Sequence, residues 1–223
     1  MLTLKNIGNF TPGLEIAMYH SIADNPKDPW AIHPDKFRQQ LTTLLDNGYQ
    51  IIGLKAALTK HSSRSLQNRK IVLTFDDAYV DFLTNAAPIL NELNLPATVF
   101  VPTGLVGGTS TWDSHDRTKR LMDWDELAEI EKMGFTLGSH TVSHHRLPRC
   151  DLKQLEHEIR HSLEDLQERF THIVQALSYP FGDYGNREIL ALKKAGYQAA
   201  LGIHNPWRNF PWTNPFRLRR CLL

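Results

Sequence analysis

Two rhythms of apolar residues alternate along the chain. Runs rich in β-branched and aromatic side chains at 15–19, 49–52, 71–75, 97–101, 173–179, 198–203 and 216–222 predict strands, and a further run leads from Phe135 toward His140. Between them the spacing turns helical. Phe37, Leu41, Leu44 and Leu45 mark a helix over 34–48, with Pro34 suited to its first turn and Gly48 to its stop. Leu155, Ile159, Leu163 and Leu166 mark a long amphipathic helix over 151–170, and shorter helices are predicted over 54–58, 81–93, 123–133 and 186–195. Asp123 with Glu126 has the form of a capping box, while Gly134 and Gly196 follow the last turns of their helices. Strand and helix alternate seven or eight times over 1–223 with no compositional break and no internal repeat. This predicts one parallel α/β domain, either a barrel or an open sheet.

The polar residues follow the same rhythm. His20, Asp76, Asp77, His140, His144, Pro180-Phe181-Gly182 and His204 all follow the carboxyl ends of predicted strands. In a parallel barrel those ends share one face, where catalysis sits. The sharpest case is Ile71 to Phe75, a strand of buried type that stops on two adjacent carboxylates. Like charges on neighbouring residues repel, and desolvating either one is costly without a partner. A solvated junction, with one Asp capping a helix near Tyr79, is the plain explanation. The histidine cluster His140, His144 and His145 at a later strand end favours a functional one.

Bulk properties narrow the choice. Lys+Arg number 25 against 24 for Asp+Glu, a net charge of +1, so the overall electrostatics favour neither nucleic acid nor an anionic membrane. No apolar run approaches the ~20 residues of a spanning helix. The first residues lack the basic start and apolar core of an export signal, which points to the cytoplasm, although a trimmed chain would look the same. Cys150 and Cys221 fit neither a disulfide framework nor a thiolate metal spacing and are expected as free thiols. His157 and His161 imitate a metal pair at i,i+4. With no carboxylate-bearing strand end predicted beside them, they are assigned to solvent.

His140 and His144 lie four apart, so on a helical turn their rings would project from the same side and hold one cation. An Asp from another strand completes three ligands and leaves a position for water. This donor set suits Zn²⁺, with Co²⁺, Ni²⁺ or Mn²⁺ as substitutes. One of Asp76 and Asp77 then serves as ligand and the other as general base that activates water at the metal; either assignment gives the same site. The cation and the proton in transit offset the repulsion between them.

Thr74-Phe75-Asp76-Asp77-Ala78 together with His140-Thr141-Val142-Ser143-His144 resembles the first two motifs of the polysaccharide deacetylases with a NodB-type domain, carbohydrate esterase family 4. Tyr19-His20, Pro96 to Phe100, Tyr179 to Gly182 and Ala195-Gly196-Tyr197 fall in the expected order, so the resemblance spans most of the chain. It implies a distorted, incomplete (β/α) barrel of seven or eight mostly parallel strands. It also implies that Asp76 is the base, that Asp77, His140 and His144 hold one divalent metal ion, and that the Phe181 backbone N–H serves the oxyanion of the tetrahedral intermediate. The implied reaction is hydrolysis of an acetamido group on an N-acetylated carbohydrate.

Three positions depart from the family pattern. Ala78 stands where the first motif usually has Gly. Ser178 stands where an Arg that pairs with the base is often found, which leaves Asp76 to another cation or to none. Leu201-Gly202-Ile203-His204 resembles in letters the late motif whose histidine protonates the leaving amine, yet it comes early in the order. His204 and His20 are therefore both candidates for the acid. Two other readings share the fold: a cyclic-amide hydrolase of the allantoinase type, and a carbohydrate-binding protein with a vestigial site. The complete set of candidate ligands argues against the first, and an intact Asp76 against the second. The loop over 103–116 is long enough to wall a binding site, and Trp112 within it either stacks on sugar or pins the loop. Trp207 and Trp212 lie in further loops suited to sugar rings, and the basic stretch over 60–70 reads as a solvated connection.

Overall fold

The computed structural model describes residues 13–61, 69–113, 118–203, 209–210 and 212–223. Among the described residues ten strands and six α-helices follow one another: β1 (Glu15–Tyr19), β2 (Ser21–Ile22), β3 (Ala31–Ile32), α1 (Pro34–Asp46), β4 (Gln50–Ile51), α2 (Leu54–His61) and β5 (Lys70–Phe75) come first. They are followed by α3 (Ala87–Glu92), β6 (Thr98–Val101), α4 (Trp124–Lys132), β7 (Thr136–Ser139), α5 (Leu152–Arg169), β8 (Ile173–Ser178), α6 (Asn186–Lys194), β9 (Ala199–Leu201) and β10 (Cys221–Leu222). The main sheet is parallel and runs β10-β1-β5-β6-β7-β8-β9, with β4 beside β5, and β2 and β3 pair separately. This is the distorted half-barrel that the alternation and the motifs imply. Among the described residues no helix is long and apolar enough to cross a membrane.

Alternate residues of each strand face opposite ways, so one strand serves two cores. On β5, Ile71, Leu73 and Phe75 pack outward with Phe37, Leu41 and Leu44 of α1, Leu90 of α3 and Leu127 and Ile130 of α4. Val72 faces inward to Ile16, Phe100, Ala176, Ala199, Leu201 and Leu218, joined by Leu54 and Ala57 of α2. A third cluster seats Leu155, Ile159 and Leu163 of α5 with Ile189 and Leu192 of α6 against Leu177 and Ala200. Inward positions nearer the carboxyl ends turn polar: Thr74 then Asp76 on one strand, Ser178 on another. The curl is tight at Gly138, where an added Cβ would stand 2.6 Å from the Phe100 ring.

Three segments depart from the sequence expectation. The helix over 81–93 divides into a π-turn at Phe82–Ala86 and α3, with Pro88 in the first turn of α3. Proline has no N–H to donate and crowds the carbonyl four residues back, and a wider turn accommodates both. The strand over 216–222 begins instead as a 3₁₀ turn at Pro215–Arg217, capped by Asn214, whose side chain accepts from the Phe216 N–H at 2.9 Å. Its end closes the open side of the curl. Leu218 bridges Leu201 of β9, while Cys221 and Leu222 pair with Ala17 and Met18 of β1. The third departure, the backbone from His140 to His144, is not helical and belongs to the site. Asp123 and Glu126 do form the capping box of α4, and Cys150 and Cys221 are both free and buried.

Candidate active site

Asp76 and Asp77 follow β5 and are both buried, 2% and 3% exposed. Neither caps a helix. Asp77 (φ 74°) and Ala78 (φ 56°) are consecutive left-handed residues, which swing the Asp77 side chain away from the direction the strand would give it. Left-handed backbone costs a non-glycine residue about 1–2 kcal/mol. Surrounding bonds hold the turn: the Met122 N–H donates to the Ala78 carbonyl at 2.9 Å, and the Asp76 N–H to the Tyr19 carbonyl at 3.0 Å. The departure from Gly at Ala78 thus falls where glycine would be free of this strain.

His140 and His144 come together by another route than the expected helical turn. Thr141 (φ 68°) and His144 (φ 57°) are left-handed, and the His144 N–H donates to Thr141 Oγ1 at 3.0 Å. The buried carboxylate of Glu158 on α5 holds the loop from behind. Its Oε2 accepts the N–H groups of Val142 and Ser143, each at 2.9 Å, and its Oε1 accepts the Ser143 hydroxyl. From the other side the Thr103 and Gly104 N–H groups donate to the Thr141 and Val142 carbonyls. Gly104 permits that approach, because a Cβ there would lie 2.6 Å from the Val142 side chain.

These turns bring Asp77, His140 and His144 into one buried cluster whose ligand atoms lie within 4.8 Å of one another. His140 Nε2 stands 3.3 Å and His144 Nε2 3.4 Å from the same oxygen, Asp77 Oδ1. His140 Nδ1 meets the Ser178 carbonyl at 2.8 Å. A carbonyl only accepts, so Nδ1 carries a proton and Nε2 is the ring nitrogen that faces Asp77. Asp77 Oδ1 has no hydrogen-bond partner, and neither has His144 Nδ1. Ring nitrogens converging on an unpartnered carboxylate oxygen in a buried site fit a shared cation, and two imidazoles with one carboxylate are a zinc-type donor set. Burial alone would raise the Asp77 carboxyl, but the His140 and His144 rings hold it well below the ordinary carboxylate range. Burial, helped by His140, pushes the His144 imidazole down to about 3.

Asp76 stays outside this cluster and has its own partner. Arg220, fully buried just before β10, donates Nη1 to Oδ1 and Nη2 to Oδ2, each at 2.7 Å. Ser178 Oγ adds a bond to Oδ2 at 3.0 Å and itself accepts from Arg220 Nη2 at 2.8 Å. Burial would raise the Asp76 carboxyl; the Arg220 guanidinium outweighs it and holds the group at about 2. The question raised by Ser178 therefore has its answer at the far end of the chain. Its one signal in the sequence is an arginine within the predicted strand over 216–222.

The remaining candidates fall around this centre. His20 lies tilted by 43° against Trp30, with ring centroids 4.6 Å apart, and has a buried, unpartnered Nδ1. Burial lowers its pKa, against the pull of the Asp77 and Asp76 carboxylates. Phe181 (φ 59°) sets its ring edge-on to His144 at 4.8 Å and receives Arg146 over its other face at 3.9 Å. Trp112 stacks on His144 at 3.8 Å, so it packs against the cluster and walls the site at once. His204 and Trp207 lie outside the described residues. His157 and His161 sit on the outer face of α5, where His161 pairs with Glu164.

The parallel half-barrel and an Asp-His-His cluster at the carboxyl ends of its strands define a class: α/β barrels with a candidate mononuclear metal centre. The family model described as polysaccharide deacetylase matches residues 63–200, and the chain belongs to that family. YxkH of Bacillus subtilis (strain 168), a protein named for the polysaccharide deacetylases, is 29% identical over 189 residues, 84% of this chain and 63% of that protein. The chain thus spans under two thirds of that relative. A poly-β-1,6-N-acetyl-D-glucosamine N-deacetylase of Staphylococcus epidermidis is 25% identical, covering 87% of this chain and 68% of that one. Among solved structures, the Streptococcus pyogenes deacetylase PplD in complex with acetate is similar with a TM-score of 0.82 and 25% identity, over 96% of this chain and 93% of that one. IcaB from Ammonifex degensii shares the fold at a TM-score of 0.81 and 20% identity, over 96% and 92%.

Proposed function

We propose that the protein is a metal-dependent hydrolase that removes N-acetyl groups from a polymer or oligomer of N-acetylated amino sugar. The observation that carries this reading is the pairing of a buried Asp77-His140-His144 cluster with a second carboxylate, Asp76, held separately by Arg220. Relatives named as deacetylases favour it over ring opening of a cyclic amide and over a vestigial binding site.

Asp77, His140 and His144 would hold the ion, and two nitrogens with one oxygen suit Zn²⁺, with Co²⁺, Ni²⁺ or Mn²⁺ as substitutes. When bound, a divalent ion lowers the pKa of water from 15.7 to about 7 and polarises a carbonyl oxygen. Asp76 takes the proton of the attacking water. Arg220 and Ser178 fix both of its oxygens, so its lone pairs keep one direction and the carboxylate stays charged. The Phe181 N–H stabilises the oxyanion. His204 or His20 passes a proton to the leaving nitrogen, which departs as the free amine while acetate is released.

The test is acetate release from β-1,4- and β-1,6-linked N-acetylglucosamine oligomers by the zinc-loaded protein. Release that stops with a chelator and returns with Zn²⁺ supports the assignment. Stoichiometric metal binding with no acetate from either linkage overturns it.

A further inference from the structure

A second concavity adjoins the turn that carries Phe181. It encloses about 480 Å³ and is lined chiefly by Tyr184, Phe210, Trp212, Asn214, Arg217 and Arg219. Trp212 is 79% exposed and stacks on Phe210, at 6° with ring centroids 5.1 Å apart, so Phe210 backs the indole and its outer face makes a flat shelf. Stacking and hydrogen bonds brace its surroundings. Tyr184 stacks at 4.2 Å on Tyr179, whose hydroxyl donates to the Phe216 carbonyl at 3.1 Å, and Arg217 Nη2 donates to Asn186 Oδ1 at 2.6 Å.

A flat aromatic shelf edged by hydrogen-bond donors matches a ligand that is apolar on its ring faces and polar around its rim, which describes a pyranose. An amphipathic helix would need a continuous apolar groove, and this lining is mostly polar. Position and charge sharpen the assignment. Phe181 touches His144, and the three residues from it to Tyr184 span at most about 11 Å, so one polymer can reach both places. The described lining residues include two guanidiniums and no carboxylate. An N-acetylated sugar is neutral there, whereas the de-N-acetylated product carries an ammonium that the guanidiniums repel.

We infer that the Phe210–Trp212 shelf, with Arg217 and Arg219, is a remote subsite that holds still-acetylated units of the polymer being processed at the Asp77 centre. This rests on the N-deacetylase reading. Its test is titration of the full chain with N-acetylglucosamine disaccharide, with the hexasaccharide and with fully de-N-acetylated hexasaccharide, by calorimetry, for the parent, Trp212→Ala and Arg217→Gln. The parent is expected to bind the acetylated hexasaccharide tighter than the disaccharide or the deacetylated chain. Trp212→Ala should weaken hexasaccharide binding about fivefold and leave the disaccharide unchanged. Arg217→Gln should narrow the preference for acetylated over deacetylated chains. Equal hexasaccharide binding by parent and Trp212→Ala, or tighter binding of the deacetylated chain, overturns the subsite. Because binding is read without turnover, a parent that shows this pattern but releases no acetate defeats the deacetylase reading and leaves the shelf standing. Acetate release with Trp212→Ala binding unaltered defeats the shelf alone.

Discussion

Arg220 meets both oxygens of Asp76 in a bidentate pair with 2.7 Å contacts, although 144 residues separate the two. The chain must close its half-barrel before this pair exists, since Arg220 stands between the bridge of Leu218 to β9 and the pairing of Cys221 with β1. Closing the sheet and holding the proposed base are therefore one event.

Replacing Arg220 by Met should leave a buried carboxylate without its cation, at a cost of about 3–5 kcal/mol. Acetate release should fall steeply while zinc content stays near that of the parent. The double variant Arg220→Met/Asp76→Asn should regain most of the stability and none of the activity. Urea denaturation with metal analysis reads both, and an Arg220→Met protein that turns over like the parent would contradict the positioning role.

Asp76→Asn alone should keep metal and lose acetate release, whereas His140→Ala should lose both. Metal content after dialysis separates the two classes of residue. Zinc lost from Asp76→Asn would mean that the adjacent carboxylates divide their tasks differently.

Glu158 holds the loop of His140 and His144 from behind through two N–H groups and a hydroxyl. Glu158→Ala should weaken zinc binding about 10–100-fold, the usual effect of removing support from ligand side chains. Competition with a chromophoric chelator measures this without reference to turnover. Unchanged affinity would show that the contacts of Thr103 and Gly104 suffice.

Gly138→Ala tests the curl of the sheet, because the new methyl would press on Phe100 at 2.6 Å and on the Ala176 carbonyl at 3.2 Å. A loss of about 1–3 kcal/mol is expected. Phe100→Leu in the same chain should recover part of it, and thermal melts of the three variants decide.

Buried phenols make the fold sensitive to alkali. Burial pushes Tyr197 up to about 12, and Tyr19 and Tyr179 higher still. Below pH 10 both folded and unfolded chains keep these protons, so the phenols contribute nothing to the pH dependence. As pH rises from about 10 toward 12, the unfolded chain releases protons that the native one retains, and stability falls. Tyrosinate absorbance and circular dichroism should change together; phenols that titrate near pH 10 in a folded protein would contradict their burial.

Local chemistry was legible where a residue's neighbours in sequence decide its state. The capping box of Asp123 and Glu126, the Pro34 start and the β-rich run of Ile71 to Phe75 all depend on residues within a few positions. The expected helical turn from His140 to His144 failed for the opposite reason. Its left-handed residues, Thr141 and His144, are held by Glu158 on α5 and by the loop after β6, and spacing alone carries no trace of either. The π-turn before Pro88 was half legible, since proline announced a disturbance without its form.

The order of strands and helices follows from periodicity, and the gathering of Asp76, Asp77, His140 and His144 at one end from their place after strand ends, both properties of the sequence itself. Which cation holds Asp76, how the Asp77 backbone turns and what encloses His144 were decided only in the folded chain. Those arrangements join segments far apart in sequence, and their energies arise from burial and from charges meeting at hydrogen-bond distance. No linear pattern encodes those before the sheet has closed.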